Sequence, residues 1–463
     1  MTESEVVTRG SHGWREISRQ RKSEIIKAIT SGSATRGPAH IELDLTDRCN
    51  VDCYFCNQQD VRSKQQIPLE KVKLLIDELA ASGLASVRLS GGGDPLFHRE
   101  IVDVLDHLSS SRVVVDNLTT NGVALTDPVA RRLVESQARE VIISLNAADP
   151  EDYQRMMQVR PELFSKVLEN VRHLIAIKGE RVAPAVVVQF LIDRENFRKL
   201  PEMYALGRSL GVDRVAINSV LEIHNARISE GTLLGADDAE AVRPYLEEIV
   251  SRDSDARLLH MHFRWESWNE NLAGAYEKAA YPSPDPFPIA PSFRDQNGGC
   301  FFGWYTAAVT GTGDIYPCCM LISPYFEPLG NIHEGPFDTQ WNGERFTTMR
   351  REMRDVLIDK RTRHSPALFQ VLKRECVEPG LCWLKNANFR GDEEFYRELG
   401  STLDELRKQR ETGLSFRRVK RVSVDFFLDR PILRGVWDWI RDGSRPVRVL
   451  LKKKFGWDVT EHP

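Results

Sequence analysis

Three cysteines, Cys49, Cys53 and Cys56, fall within eight residues of the stretch "LDLTDRCNVDCYFCNQQ" (43–59), directly after an alternating apolar run. Thiols this close together in a long chain point to metal or redox chemistry rather than to disulfides. Structural zinc wants four ligands, usually in two close pairs. Three thiolates spaced C-x3-C-x2-C with no fourth beside them fit an iron–sulfur cubane better, because one iron then stays open to an outside ligand. The missing ligand is the functional feature. Five further cysteines, Cys300, Cys318, Cys319, Cys376 and Cys382, follow only after 243 residues that contain none.

The elements that must position the first three are legible on either side. Strand candidates at 41–46, 86–91, 112–118, 140–146, 185–192 and 214–220 alternate with amphipathic stretches such as "PLEKVKLLIDELAASG" (68–83). Val- and Ile-rich runs separated by helices predict a parallel sheet covered by helices. The fold class is α/β, and six such units predict a partial (β/α)6 barrel of the TIM type, with the cysteine loop at its mouth. Residues 1–39 form an N-terminal extension, 40–225 the barrel, and 226–295 a linker or insertion that includes the proline-rich "YPSPDPFPIAPSF" (281–293). Within 296–390, "CFFGWYTAAVTGTGDIYPCCM" reads as a hairpin about its "TGTGD" turn. Residues 391–463 form a helical, then basic, tail.

At the end of the second strand lies "LSGGGDPLFH", where glycines permit close backbone approach and Asp94 could complement an ammonium group. "LTTNG" (118–122) and "ISLNAAD" (143–149) put Thr120, Asn121 and Ser144 at the ends of the third and fourth strands. Taken singly, each of these three reads equally well as a turn-former or helix cap.

The cysteine spacing after a first barrel strand, followed one unit later by Gly92, Gly93, Asp94 and Pro95, resembles the radical S-adenosylmethionine (SAM) superfamily. That resemblance implies a 4Fe–4S cluster on Cys49, Cys53 and Cys56 whose open iron chelates SAM, and a 5′-deoxyadenosyl radical that takes hydrogen from a substrate. It also implies that Phe55 lies against the adenine and that residues 92–95 receive the SAM amino group, with Asp in place of the commoner Glu. Asn121 and Ser144 would meet the ribose or carboxylate, with Arg155 and Arg160 as further carboxylate partners. Cys300-x12-Gly313-x4-Cys318 resembles the opening of the SPASM and twitch domains appended to many such enzymes. With Cys376 and Cys382 that resemblance implies one auxiliary 4Fe–4S cluster, although the same four thiolates would also make a structural zinc site. Cys319 is left over. It either packs against the hairpin, serves as a substitute ligand, or returns a hydrogen atom to a substrate radical.

With 463 residues, 28% charged and a net charge of −4, the chain has no global electrostatic case for nucleic-acid binding. No signal peptide and no apolar run of membrane-spanning length occur, so a cytoplasmic protein is expected, with no membrane partner. The resemblance extends to sugar and aminocyclitol epimerases and dehydrogenases of antibiotic biosynthesis, including avilamycin-type oligosaccharide epimerases, over roughly residues 40–390. It implies a carbohydrate-like small-molecule substrate and a flavodoxin- or ferredoxin-type electron donor. The expected reaction is epimerisation with Cys319 as donor. A dehydrogenase using the auxiliary cluster as electron acceptor, or a peptide-modifying maturase, are the alternatives. His260 and His262, two apart in "LLHMHFRWESW", could hold substrate hydroxyls or simply pack.

Overall fold

The computed structural model describes residues 17–56, 58, 62–220, 228, 231–253, 259–262, 300–322, 326–359 and 394–410. Cys376, Cys382, the proline-rich connector and the basic tail beyond 410 lie outside the described residues. The chain divides into two compact units, Met1–Glu398 and Leu399–Pro463, and the second is helical over 399–410.

In the first unit seven parallel strands stand side by side in chain order: β1 (His40–Leu43), β2 (Ser86–Leu89), β3 (Val114–Thr120), β4 (Glu140–Ser144), β5 (Ala185–Ile192), β6 (Arg214–Ser219) and β7 (Leu259–His262). Their connections carry α2 (Leu69–Ala81), α3 (Ile101–Ser110), α4 (Asp127–Glu135), α5 (Pro150–Met157), α6 (Glu162–Lys178), α7 (Leu200–Leu210) and α8 (Ala239–Arg252); α1 (Arg19–Ser31) precedes β1. The six expected strands are all present. β7 adds a seventh from within 226–295, where His260 and His262 stand opposite Ala216 and Asn218.

The predicted hairpin forms, as β8 (Thr306–Val309) and antiparallel β9 (Asp314–Tyr316), with β10 (Gly330–Asn331) beyond it and then α9 (Phe337–Trp341) and α10 (Glu344–Asp359). It is not an appendage. β8 lies parallel against β1, His40 opposite Thr306 and Leu43 opposite Val309, so the hairpin continues the barrel sheet. Gly313 turns the chain with φ +85, and a Cβ there would meet His333 at 2.7 Å.

Alternation divides the strands into two faces. Ile41, Leu43, Val87, Leu89, Val141, Ile143, Val215 and Ile217 are fully buried. This is the helix-covered face: a Cβ on Gly207 of α7 would come within 2.2 Å of Val215. Each such side chain removed from water contributes about 1.5–3 kcal/mol. The opposite, inner face is polar. His40 Nδ1 meets Ser86 Oγ at 2.9 Å, Arg88 pairs with Glu42 at 4.0 Å, and Asn117 donates to Glu140, which also pairs with Arg214.

Candidate active site at the carboxyl ends of the strands

The cysteine loop leaves β1 and is clamped from two sides. Asp47 N–H donates to Gln65 O at 2.9 Å, while Asp52 N–H and Tyr54 N–H donate to the Met157 and Met156 carbonyls that close α5, at 3.1 and 3.3 Å. That helix starts where the sequence dictates, with Asp149 as N-cap accepting from Asp152 N–H at 2.9 Å and Pro150 in the first turn. The sulfurs have company. Arg62 Nη2 donates to Cys56 Sγ at 2.8 Å, Asn121 Nδ2 approaches Cys49 Sγ at 3.7 Å, and Cys53 Sγ meets Met157 Sδ at 3.6 Å.

Burial pushes the Cys49 thiol up to about 11 and the Cys53 thiol well above the usual range, so both hold their protons at neutral pH until a metal displaces them. Among the described residues no three His, Cys, Asp or Glu side chains converge on one metal-ion position. A cubane asks for something else, since each thiolate binds a different iron. Three soft donors from one clamped loop, with hydrogen-bond donors beside two of them, fit a cluster.

The glycine motif packs directly on this loop. A Cβ on Gly91 (φ +96) would overlap the Asp44 carboxylate, one on Gly92 would lie 2.3 Å from Asp47 Oδ1, and one on Gly93 1.9 Å from the Arg48 carbonyl. The glycines thus let the second strand's turn close against the first strand's loop. The buried Asp94 carboxylate accepts from Leu96 N–H at 2.9 Å, Thr120 Oγ1 at 2.9 Å and Asn121 N–H at 2.7 Å. These three donors fix the carboxylate in place beside the backbone of the glycine motif. Pro95 opens the short 3-10 turn that follows.

Asn121 is buried and also donates to Asn50 Oδ1 at 2.7 Å, so it bridges the β3 end to the cysteine loop. Ser144 ends β4, half-buried, and Phe55 stands edge-on to Tyr54 with centroids 5.5 Å apart. Arg155 is engaged within the protein. It donates to both oxygens of Asp193, at 2.8 and 3.4 Å, and the Tyr54 hydroxyl donates to the same carboxylate. Arg155 and Arg160 both line a hollow of about 700 Å³ walled by residues 151–162 alone, which contains none of the cysteines.

Chemistry converges instead under the hairpin. A cleft of about 70 Å³ lies between Asp44, Asp47, Arg62 and Gly92 on the barrel side and Thr310 and Thr312 on the hairpin side. Gly311 lies so close that a Cβ would sit 2.7 Å from Asp47 N. Cys300 and Cys318 are both buried, and both lie near the fully buried Tyr305, whose hydroxyl proton they and the surrounding burial retain. Cys319 keeps part of its surface accessible and lies near Glu42 and Arg88 on the inner face of the barrel. Burial and that carboxylate push the thiol well above its usual value.

Glu42, Arg88, Arg62 and Asp193 were missed by the sequence reading. A signal existed for the first two: a parallel strand buried on both faces reads as continuously apolar, and charges in "IELD" and "SVRLS" break that pattern.

Residues 43–207 match the Radical SAM superfamily, and residues 300–365 match SPASM, an iron–sulfur cluster-binding domain. The chain therefore carries a radical SAM domain followed by a SPASM domain, and its cofactors are SAM and two 4Fe–4S clusters. Among curated proteins, a probable GTP 3′,8-cyclase of Saccharolobus islandicus is 25% identical over 225 residues, 48% of this chain and 68% of that protein. One from Methanocaldococcus jannaschii is 22% identical over 173 residues, covering 37% and 55%. Among solved structures, Streptococcus suis SuiB bound to its precursor peptide SuiA superposes with TM-score 0.53 at 14% identity, over 71% of this chain and 70% of that one. Native anSMEcpe with bound AdoMet gives 0.50 at 13% identity, over 81% and 99%. These likenesses are of fold. Among the described residues no helix is long and apolar enough to cross a membrane.

Proposed function

We propose that this radical SAM enzyme inverts a carbon centre of a carbohydrate-like small molecule, with Cys319 as the hydrogen-atom donor. When bound, the reduced cluster and SAM supply one radical that removes hydrogen from the substrate. The chain's own part is to return hydrogen from the other face. The Cys319 S–H bond breaks, its hydrogen joins the substrate carbon, and the sulfur radical left behind takes back one electron and one proton. Two electrons are thus consumed per turnover, both from a flavodoxin- or ferredoxin-type donor; Cys300, Cys318, Cys376 and Cys382 would hold an auxiliary cluster able to supply the second.

One observation supports this reading: Cys319, at the end of the hairpin, stays partly accessible and lies near Glu42 and Arg88 of the inner face. Inner-face groups such as Asn117 and Glu140 suit a hydroxyl-rich ligand. In deuterium oxide the product should carry one deuterium at the inverted carbon, and Cys319→Ala should still make 5′-deoxyadenosine without the isomer. A product two mass units lighter would make the enzyme a dehydrogenase. SuiB binds a precursor peptide, SuiA. Turnover of a peptide by the present enzyme, or of a nucleotide, would replace the carbohydrate substrate.

A further inference from the structure

Tyr153 has no part in the chemistry so far. It lies on α5 four residues before Met157, so the two share one face of the helix, and Met157 Sδ is the atom that meets Cys53 Sγ at 3.6 Å. The Tyr153 side chain is fully buried, with its ring tilted on Phe164 at 5.6 Å. Its hydroxyl oxygen has no hydrogen-bond partner. Burial acts on that hydroxyl first, and after it the nearby Cys53, Asp94 and Cys49. An unsatisfied buried hydroxyl is costly, so a partner is owed to it.

The donors around the three sulfurs show which partner. A metal-bound thiolate only accepts hydrogen bonds. Cys56 has a side-chain donor in Arg62 and Cys49 has one in Asn121. At Cys53 the side-chain contact is a thioether, which cannot donate, so the thiol is the donor there. When Cys53 gives up its proton to bind iron, that contact loses its hydrogen and the sulfur becomes an acceptor. The Tyr153 hydroxyl is the unused donor on the same helix face.

We propose that Tyr153 is a positioning residue of the SAM-binding cluster, its phenol donating to the Cys53 thiolate and so completing one side-chain donor per cysteine. Hydrogen bonds to cluster sulfurs withdraw electron density and raise the reduction potential. Tyr153 therefore sets how easily the cluster accepts the electron that starts the reaction. The inference rests on Cys49, Cys53 and Cys56 holding the cluster, which iron content of the unaltered protein against the triple Cys→Ala variant tests separately.

The test is a redox titration of the anaerobically reconstituted enzyme, followed by the spin signal of the reduced SAM-binding cluster. Tyr153→Phe keeps the ring and removes only the donor. It should bind the same iron and titrate at a more negative potential. Ring-fluorinated tyrosine placed at 153, a stronger donor, should shift the potential the other way. Resonance Raman of the oxidised, unaltered protein should show an Fe–S stretch that moves on transfer to deuterium oxide, with that movement reduced in Tyr153→Phe. An unchanged potential in both variants overturns the proposal. So does an equal loss of iron in both, which would make Tyr153 a packing residue, because the fluorinated side chain retains the donor.

Discussion

The carboxylate of Asp94 accepts the backbone N–H of Asn121 at 2.7 Å, which fastens the end of β3 to the glycine turn after β2. Asn121 in turn reaches Asn50 and Cys49 in the cysteine loop. Three strand ends are joined through this one buried acid. Replacing Asp94 by Ala strands the Thr120 hydroxyl and the Leu96 and Asn121 amides. Chemical unfolding should show a loss of about 3 kcal/mol.

Glu42 lies near the Cys319 thiol and pairs with Arg88. Glu42→Gln keeps the side chain's size and removes its charge beside the Cys319 thiol, so the yield of product per 5′-deoxyadenosine should fall on the order of tenfold while SAM cleavage persists. An unaltered ratio would detach Glu42 from hydrogen return.

Gly93 has the Arg48 carbonyl 1.9 Å from its would-be Cβ, and backbone cannot retreat as a flexible side chain can. Gly93→Ala should push the cysteine loop away from the glycine turn. Expected are a stability loss of about 1–3 kcal/mol or more and reduced iron uptake after reconstitution.

Asp44 is buried and accepts from Gly92 N–H at 3.1 Å, and burial first, then Glu42 and Asp47, raises its pKa well above the usual carboxylate value. The folded chain therefore holds this proton more tightly than the unfolded one. Between about 3.9 and the raised value, its contribution to stability falls as pH rises. Asp44→Asn keeps the acceptor and discards the charge. It should resist urea better than the parent at pH 7 and equally at pH 4.

Iron should come to about eight atoms per chain after reconstitution and to about four when Cys49, Cys53 and Cys56 are all Ala, with SAM cleavage lost. Zinc in place of the second four would make the SPASM domain's metal structural.

The cysteine spacing, the glycine turn and the βα alternation were readable because each is local. Thiols within eight residues must share a loop, and period-2 and period-3.6 apolar patterns state which face is covered. Asp94 was legible as a residue but not in its hydrogen bonds, because the donors that claim its carboxylate at a distance, Thr120 and Asn121, are 26 and 27 positions away. Arg155 reads in the sequence as a ligand partner, and its pairing with Asp193, 38 residues on, appears only in the fold.

Sequence by itself determined the chemistry: which thiols are clustered, which turn is glycine, and that a parallel sheet must hold them. Tertiary structure alone decided what those groups face. β8 pairs with β1 across more than 260 residues of chain, and this pairing sets Cys319 beside Glu42 and Arg88. No local propensity encodes that register, because it comes from backbone hydrogen bonds available at the open edge of β1 and from burying Ala307, Ala308 and Val309 beside Ile41 and Leu43. The same holds for Tyr153, whose hydroxyl is an ordinary polar group in the sequence and becomes an unpaired donor beside Cys53 only once α5 closes under the loop.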